Sequence, residues 1–294
     1  MNGLHNTNTN SLKNMKADCA HCSGLCCTAL FFSKVDGFPE DKMAGKPCMN
    51  LEKDFRCRIH DKLAERHMRG CIGYDCFGAG QHVTQVIYKG ETWQNYSNAD
   101  EIFNVFTIVF QLYQVRYYLE EAVILIEKSP LKTDIQICLE KLTDLCLGTL
   151  EEIQTIKTEE CREQANQLLK RVIALQQESI QQRNTQQKNI QQSKVPERAI
   201  KQELEKYHGD FLGKNLKGRN LSGCDFSTAL LIAANLKSCI CEGTIFLGAD
   251  TRDTNFCDAD LRRALFLTQG QINAAKGNRH TKLPDYLEKP VTWK

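Results

Sequence analysis

Eight cysteines fall in the first 76 positions of this 294-residue chain: Cys19, Cys22, Cys26, Cys27, Cys48, Cys57, Cys71 and Cys76. The first four occur in the run C-A-H-C-S-G-L-C-C. Thiolates are soft ligands, and a Cys-x2-Cys step brings two sulfurs to one ion from a single turn. The leading stretch MNGLHNTNTNSLKNMK has no apolar secretory core. A reduced, cytoplasmic chain is therefore expected, in which dense cysteine points to metal rather than disulfides. One tetrahedral zinc takes four ligands, so eight thiols exceed a single mononuclear site. Two zinc sites, a sulfur-bridged polynuclear site, and an iron–sulfur cluster with spare thiols all stay open. The Cys19-x2-Cys22-x3-Cys26 spacing departs from the bacterial ferredoxin run, and no Cys-Pro follows. Zinc or iron ions are the expected cofactors, with room for more than one per chain and an iron–sulfur cluster the less favoured option.

Nitrogen and oxygen donors lie close by in His21, His60, His67, Asp75 and His82, and mixed histidine–cysteine sites suit zinc or iron. A helix is predicted from Ile59 to Arg69, which puts His60 and His67 on a surface. The glycines from Gly73 to Gly80 include a Gly-x4-Gly step, but no Lys-Ser or Lys-Thr follows. They read as backbone folding tightly around a metal, not as a phosphate loop. Cysteine also packs well as a small apolar residue. That account fits the other seven: Cys138, Cys146 and Cys161 on helical faces, and Cys224, Cys239, Cys241 and Cys257 further on.

The segment Cys22-Ser23-Gly24-Leu25-Cys26-Cys27, with the later cysteines at 48, 57, 71 and 76, resembles the zinc/iron-chelating, or YkgJ-like, family. The resemblance covers residues 19–80. It implies metal chelation and no established reaction. That family ends its motif with Arg-Pro-x-x-Cys-Arg, whereas this chain has Gly70-Cys71-Ile72-Gly73-Tyr74-Asp75-Cys76, a departure that falls on the last ligands.

Four zones must position these residues. Residues 1–16 are polar and Asn-rich and read as a disordered arm. Residues 17–90 form the Cys-rich metal-binding module. Residues 91–195 read as an antiparallel helical bundle ending in a Gln-rich spacer. One helix starts near Asn98 and is apolar nearly all round to Ile126, as a central helix would be. A second follows Ser129-Pro130, with Leu131, Ile135, Cys138, Leu142 and Leu145 as its stripe. A third follows Thr158, with Cys161, Ala165, Leu168, Val172 and Leu175. A Gln-Gln pair then recurs every five residues from Gln176 to Gln192. It reads as a solvated helical or coiled-coil spacer broken before Pro196.

In the fourth zone, 196–294, a bulky residue returns every five positions from Phe211 to Phe266. Two residues before most of them sits a small one, as at Cys224, Ala229, Ala234 and Ala259. Neither helix nor strand has a period of five. Stretches such as Ala234-Asn235-Leu236 and Ala259-Asp260-Leu261 are similar to the A-(D/N)-L-x-x signature of pentapeptide-repeat proteins. The resemblance covers residues 209–268 and implies a right-handed quadrilateral β-helix, four pentads to a coil. The run from Leu267 to Ile272, then Leu283-Pro284 and Trp293, reads as a short helix and an apolar hook over the end.

Formal charge is +2, so nothing global calls for nucleic acid or an anionic membrane surface. The apolar stretch from Ile102 to Ile126 is broken by Arg116, Glu120 and Glu121, which argues against a membrane span. Some pentapeptide-repeat proteins mimic DNA and protect topoisomerases. Such a mimic must be strongly acidic, yet residues 205–294 hold thirteen Lys/Arg against ten Asp/Glu. The expected function is a metal-binding scaffold that docks a protein partner on its repeat face, with room for self-association. A metal-dependent enzyme and a thiol-based metal or redox sensor are the alternatives. No nucleophile triad or acid–base carboxylate pair supports the enzyme.

Overall fold

The computed structural model describes residues 10–126, 129–187 and 206–294. The chain divides into two compact units, Met1–Lys170 and Arg171–Lys294. The cysteine segment and the helices after it thus share one unit, where composition had suggested a boundary at residue 90.

The first unit contains helices α1 (Asn10–Asn14), α2 (Leu25–Ala29), α3 (Arg69–Gly73), α4 (Ala79–His82), α5 (Ala99–Leu125), α6 (Leu131–Cys146) and α7 (Leu150–Gln154). Helix α8 (Thr158–Gln187) begins here and crosses into the second unit. Helix α5 carries no Gly or Pro over 27 residues, and Asp100 and Glu101 in its first turn favour the helix N-terminus. Ile102, Val105, Phe106, Val109, Leu112, Leu119 and Ala122 on α5 are all fully buried. Helices α1, α2, α4, α6 and α7 pack against it. It is the apolar axis expected from the sequence.

Several expectations are corrected. Residues 10–14 form α1 and bury Leu12 and Met15, so the unstructured arm does not extend to residue 16; residues 1–9 lie outside the described residues. The helix expected over Ile59–Arg69 is a 3-10 turn at His60–Lys62, and His67 has a positive φ of 54° that a continuous helix excludes. On α6 the buried stripe is Leu131, Ile135, Leu139, Leu142 and Cys146, one residue rotated from the expected stripe at two positions. On α8, Leu169 is buried where Leu168 was expected, and Leu175 is 40% exposed. Helix α7 was not expected, although Thr149 and Glu152 form a full capping box there.

In the second unit the Gln-rich tract stays helical to Gln187 and is not wholly solvated. Ile180 is buried, and a Cβ added at Gly243 would come within 1.9 Å of its Cδ1. No coiled coil is shown among the described residues, and the expected break before Pro196 lies outside them.

The quadrilateral β-helix is not formed: the described residues contain no β-strand and no sheet. In its place stands a repeat of turns. One residue in five makes an isolated parallel bridge, and its partner lies twenty residues on: Asp210 with Leu230, Asn215 with Asn235, Asn220 with Ile240, Asp225 with Ile245. A tight turn follows each bridged residue. Lys214 N–H donates to the Phe211 carbonyl, Arg219 to Leu216 and Cys224 to Leu221. The third residue of these turns has a positive φ, whether glycine (Gly213, Gly218) or not (Thr228, Ala233, Ser238). Because a turn closes immediately after each bridge, pairing never runs through consecutive residues and no strand develops.

The five-residue pattern itself reads correctly as a core. Phe211 through Phe266 are buried at every fifth position, including Cys241 and Thr251. Polar atoms at the small positions are satisfied: Thr244 Oγ1 donates to the Leu221 carbonyl (2.8 Å) and Thr254 Oγ1 to that of Leu231 (2.7 Å). The expected closing helix is α9 (Gln269–Ala274), capped by Thr268 and Gln271. Trp293 is buried beyond it, with its indole N–H donating to the Ala275 carbonyl and its ring against Gly277. Trp293→Ala should therefore lower the stability of this unit by about 3–5 kcal/mol, read by urea unfolding. An unchanged midpoint would show that the cap is not part of the cooperative unit.

Candidate metal centre

Each predicted thiol is carried by a short helix, turn or loop of the first unit. Cys19 opens a 3-10 turn, Cys19–His21, whose cap is Asp18, accepting from Ala20 N–H at 2.9 Å. Gly24, in the left-handed region at φ 67°, turns the chain into α2, and Leu51 lies against it where any Cβ would crowd. Helix α2 carries Cys26 and Cys27. The Cys48 N–H donates to the Cys27 carbonyl at 2.9 Å, and Cys57 bridges back to Leu51. Cys71 lies on α3, and Cys76 precedes the Gly78 that starts α4. Three polar contacts hold the first loop in place. Trp93 Nε1 donates to the Ser23 carbonyl (2.7 Å), Ser23 N–H to Thr84 Oγ1 (3.1 Å), and Asp18 N–H to Gln81 Oε1 (3.1 Å).

All eight cysteines line one cavity of about 540 Å³, together with Tyr74, His60, Gly80 and Phe106. They come from six separate segments spread over 58 positions of sequence. The Cys26 and Cys27 sulfurs stand 3.8 Å apart, matching the edge of a tetrahedron with bonds of about 2.3 Å. Gly80 lies so near Cys22 that an added Cβ would approach its sulfur to 2.8 Å and that of Cys76 to 3.8 Å. The glycine-rich stretch is thus part of the cavity wall. All fifteen cysteines of the chain are free thiols.

Burial sets the charge state of these thiols. It raises Cys22, Cys57 and Cys76 above the ordinary thiol range and pushes Cys71 up to about 12. The hydrogen bond between the adjacent pair raises Cys26 and lowers Cys27, with the Lys42 ammonium adding to the latter. Repulsion between ionised forms links Cys22 with Cys76, and Cys26 with Cys22 and Cys76. It also links Cys71 and Cys57 with Cys27 and Cys48. Cys19 feels both Cys22 and Cys27, so the thiols form one linked set, with Cys22, Cys26 and Cys76 coupled at one end and Cys48, Cys57 and Cys71 at the other. The Cys26–Cys27 contact lies between the two ends.

The donor set fits zinc or iron, because soft sulfur ligands in this number suit those ions. Among the described residues no three His, Cys, Asp or Glu side chains converge tightly enough to hold an ion. The eight cysteines line one cavity without closing on a point, so a bound ion would have to draw ligands together.

The accessory donors divide sharply. His60 lines the cavity but is exposed and sits 3.7 Å from Asp61. His67 is exposed on the turn before α3. His21 pairs with Asp18 at 2.7 Å, facing a second cavity. The His82 Nε2 lies 2.9 Å from the Cys146 carbonyl, tying α4 to α6, and burial lowers its pKa. Asp75 accepts from Phe77 N–H at 2.8 Å, and burial raises its pKa. Lys42 was missed by sequence reasoning. It is buried, and its ammonium donates to the carbonyls of Thr28 (2.6 Å) and Leu30 at the end of α2. An isolated lysine between Asp41 and Met43 gives no signal of that role.

Comparison with known proteins adds two findings. The Pentapeptide repeats family model matches residues 215–246 in eight copies. The chain is 39% identical over 162 residues to "Uncharacterized protein YybG" of Bacillus subtilis (strain 168), a match covering 55% of this chain and 58% of that protein. No solved structure matches the chain significantly. Pentapeptide repeats are therefore present in the C-terminal region. No described helix is long and apolar enough to cross a membrane.

Replacing Lys42 by Met removes the donor shared by two carbonyls at the end of α2. A loss of about 1–3 kcal/mol is expected, measured by denaturant unfolding of the reduced protein. No loss would mean that water satisfies those carbonyls equally well.

Proposed function

We propose that this chain is a metal-binding scaffold whose N-terminal unit holds zinc or iron through Cys19, Cys22, Cys26, Cys27, Cys48, Cys57, Cys71 and Cys76. The observation that carries the reading is the convergence of all eight on one cavity. Eight thiols favour two ions over one, since four thiolates complete a tetrahedral site. The resemblance of residues 19–80 to the zinc/iron-chelating family points the same way. When bound, the ions supply the positive charge that buried, mutually repelling thiolates require. A reducing, cytoplasmic setting suits fifteen free thiols.

The repeat region serves this scaffold as a docking surface for a protein partner. Outward bridged positions mostly carry Asp or Asn, yet Leu230 and Ile240 occupy two of them and are about half exposed. Apolar side chains at such sites support a protein contact over a nucleic acid one.

The full chain, purified without oxygen, should contain zinc or iron by elemental analysis and release it to a chelator. The combined Cys19→Ala, Cys22→Ala, Cys26→Ala and Cys27→Ala variant should lose at least half of that metal. A chain that purifies free of metal, takes up neither zinc nor iron(II), and tolerates the four substitutions unchanged would refute the proposal.

A further inference from the structure

The wall of the thiol cavity carries a polar group that the protein leaves without a partner. The Tyr74 hydroxyl is fully buried and makes no hydrogen bond, while Tyr74 itself lines the cavity. Buried hydroxyls are normally paired, and an exception asks for a reason. Rotation cannot relieve it easily. The ring is held against Phe110 at 5.4 Å and edge-on to Phe32 at 6.3 Å. Tyr74 shares the cavity lining with Cys22, Cys26 and Cys76, and the ionised forms of these thiols and of Asp75 act electrostatically on the phenol. The Asp75 Oδ1 already accepts from the Phe77 N–H. A neutral thiol is a weak acceptor, so the hydroxyl gains little from these neighbours as they stand. A thiolate carrying charge on a metal is a far better one.

We propose that Tyr74 is a positioning residue of the metal centre, its hydroxyl donating a hydrogen bond to a metal-bound thiolate of the Cys22, Cys26 and Cys76 group. The inference rests on the metal-binding reading above. Groups that hydrogen-bond to metal ligands fix the ligand's orientation and tune its donor strength, and losing one costs about 10–100-fold in metal affinity. Tyr74 is suited to this because it lies two residues from Cys76 and its ring is already clamped. Loading would then satisfy the orphaned hydroxyl and order the thiols in one step.

Two opposite effects of a single substitution test this. Tyr74→Phe keeps the ring and both aromatic contacts and removes only the hydroxyl. In the full-length, reduced protein, zinc and cobalt(II) should bind about 10–100-fold more weakly to Tyr74→Phe than to the wild type. The sulfur-to-cobalt charge-transfer bands should move to lower energy, because a thiolate relieved of a hydrogen bond gives up its electron more readily. In the metal-free protein the same substitution should leave Tm unchanged or raise it, since no hydrogen bond is lost there. Equal affinity with superimposable cobalt spectra would overturn the inference and leave metal binding standing. A lower Tm for metal-free Tyr74→Phe would also overturn it, by showing that the hydroxyl has a partner inside the protein. A wild-type chain that binds neither ion would overturn the metal reading, and this inference with it.

Discussion

The first unit depends on one helix being buried on nearly every side. Helix α5 has apolar residues all round, and loops and short helices must cover whatever its helical neighbours leave open. The covering segments are the ones that carry cysteine. Phe106 of α5 forms part of the cavity wall, and Phe110 holds the rings of Tyr74 and Phe77 at 5.4 and 6.4 Å. Six short segments with little regular structure could not fix eight thiols by their own hydrogen bonds. Anchored to α5 and tied through Trp93, Thr84 and Gln81, they can. The hydrophobic demand of the helix and the gathering of the thiols are one constraint seen from two sides.

The second unit solves a different problem with a shorter rule. Each pentad supplies one inward bulky residue, one small residue, one bridged backbone position and one turn. Burial and turn closure recur together, so the core from Phe211 to Phe266 is continuous although pairing is confined to single residues. Thr and Cys at the small positions do not disturb it, because Thr244, Thr254 and Cys239 each donate to a carbonyl 23 residues earlier. Closure at the far end comes from α9 and the Trp293 ring, which cover apolar residues that the next pentad would otherwise have buried.

Much of this was legible in residue spacing. The eight cysteines were separable from the other seven because they cluster in sequence, and the cavity takes all eight and none of the rest. The apolar length of α5 and the five-residue core were equally plain. What failed did so for identifiable reasons. A period of five locates inward residues but not hydrogen bonds, so strands were expected where each bridge is cut short by a turn. A three-four step on α6 or α8 is satisfied by neighbouring registers, and packing chose Leu139 and Leu169. His82 was one of five nitrogen or oxygen donors near the cysteines in sequence, and spacing could not show the Cys146 carbonyl 64 residues away that engages it. Ile180 was hidden by the glutamines around it. Lys42 and Tyr74 matter only through what surrounds them in space.

The central claim is that eight of the fifteen cysteines act as one metal-holding set. Alkylation of the native, reduced protein with iodoacetamide, followed site by site by mass spectrometry, tests it most directly. With metal bound, Cys19, Cys22, Cys26, Cys27, Cys48, Cys57, Cys71 and Cys76 should be protected together. A chelator should expose them together, while Cys224, Cys239 and Cys241, buried in the repeat, stay protected in both states. If chelation leaves the labelling of the eight unchanged, or frees one or two of them independently of the others, they are not a metal-binding set and the account is wrong.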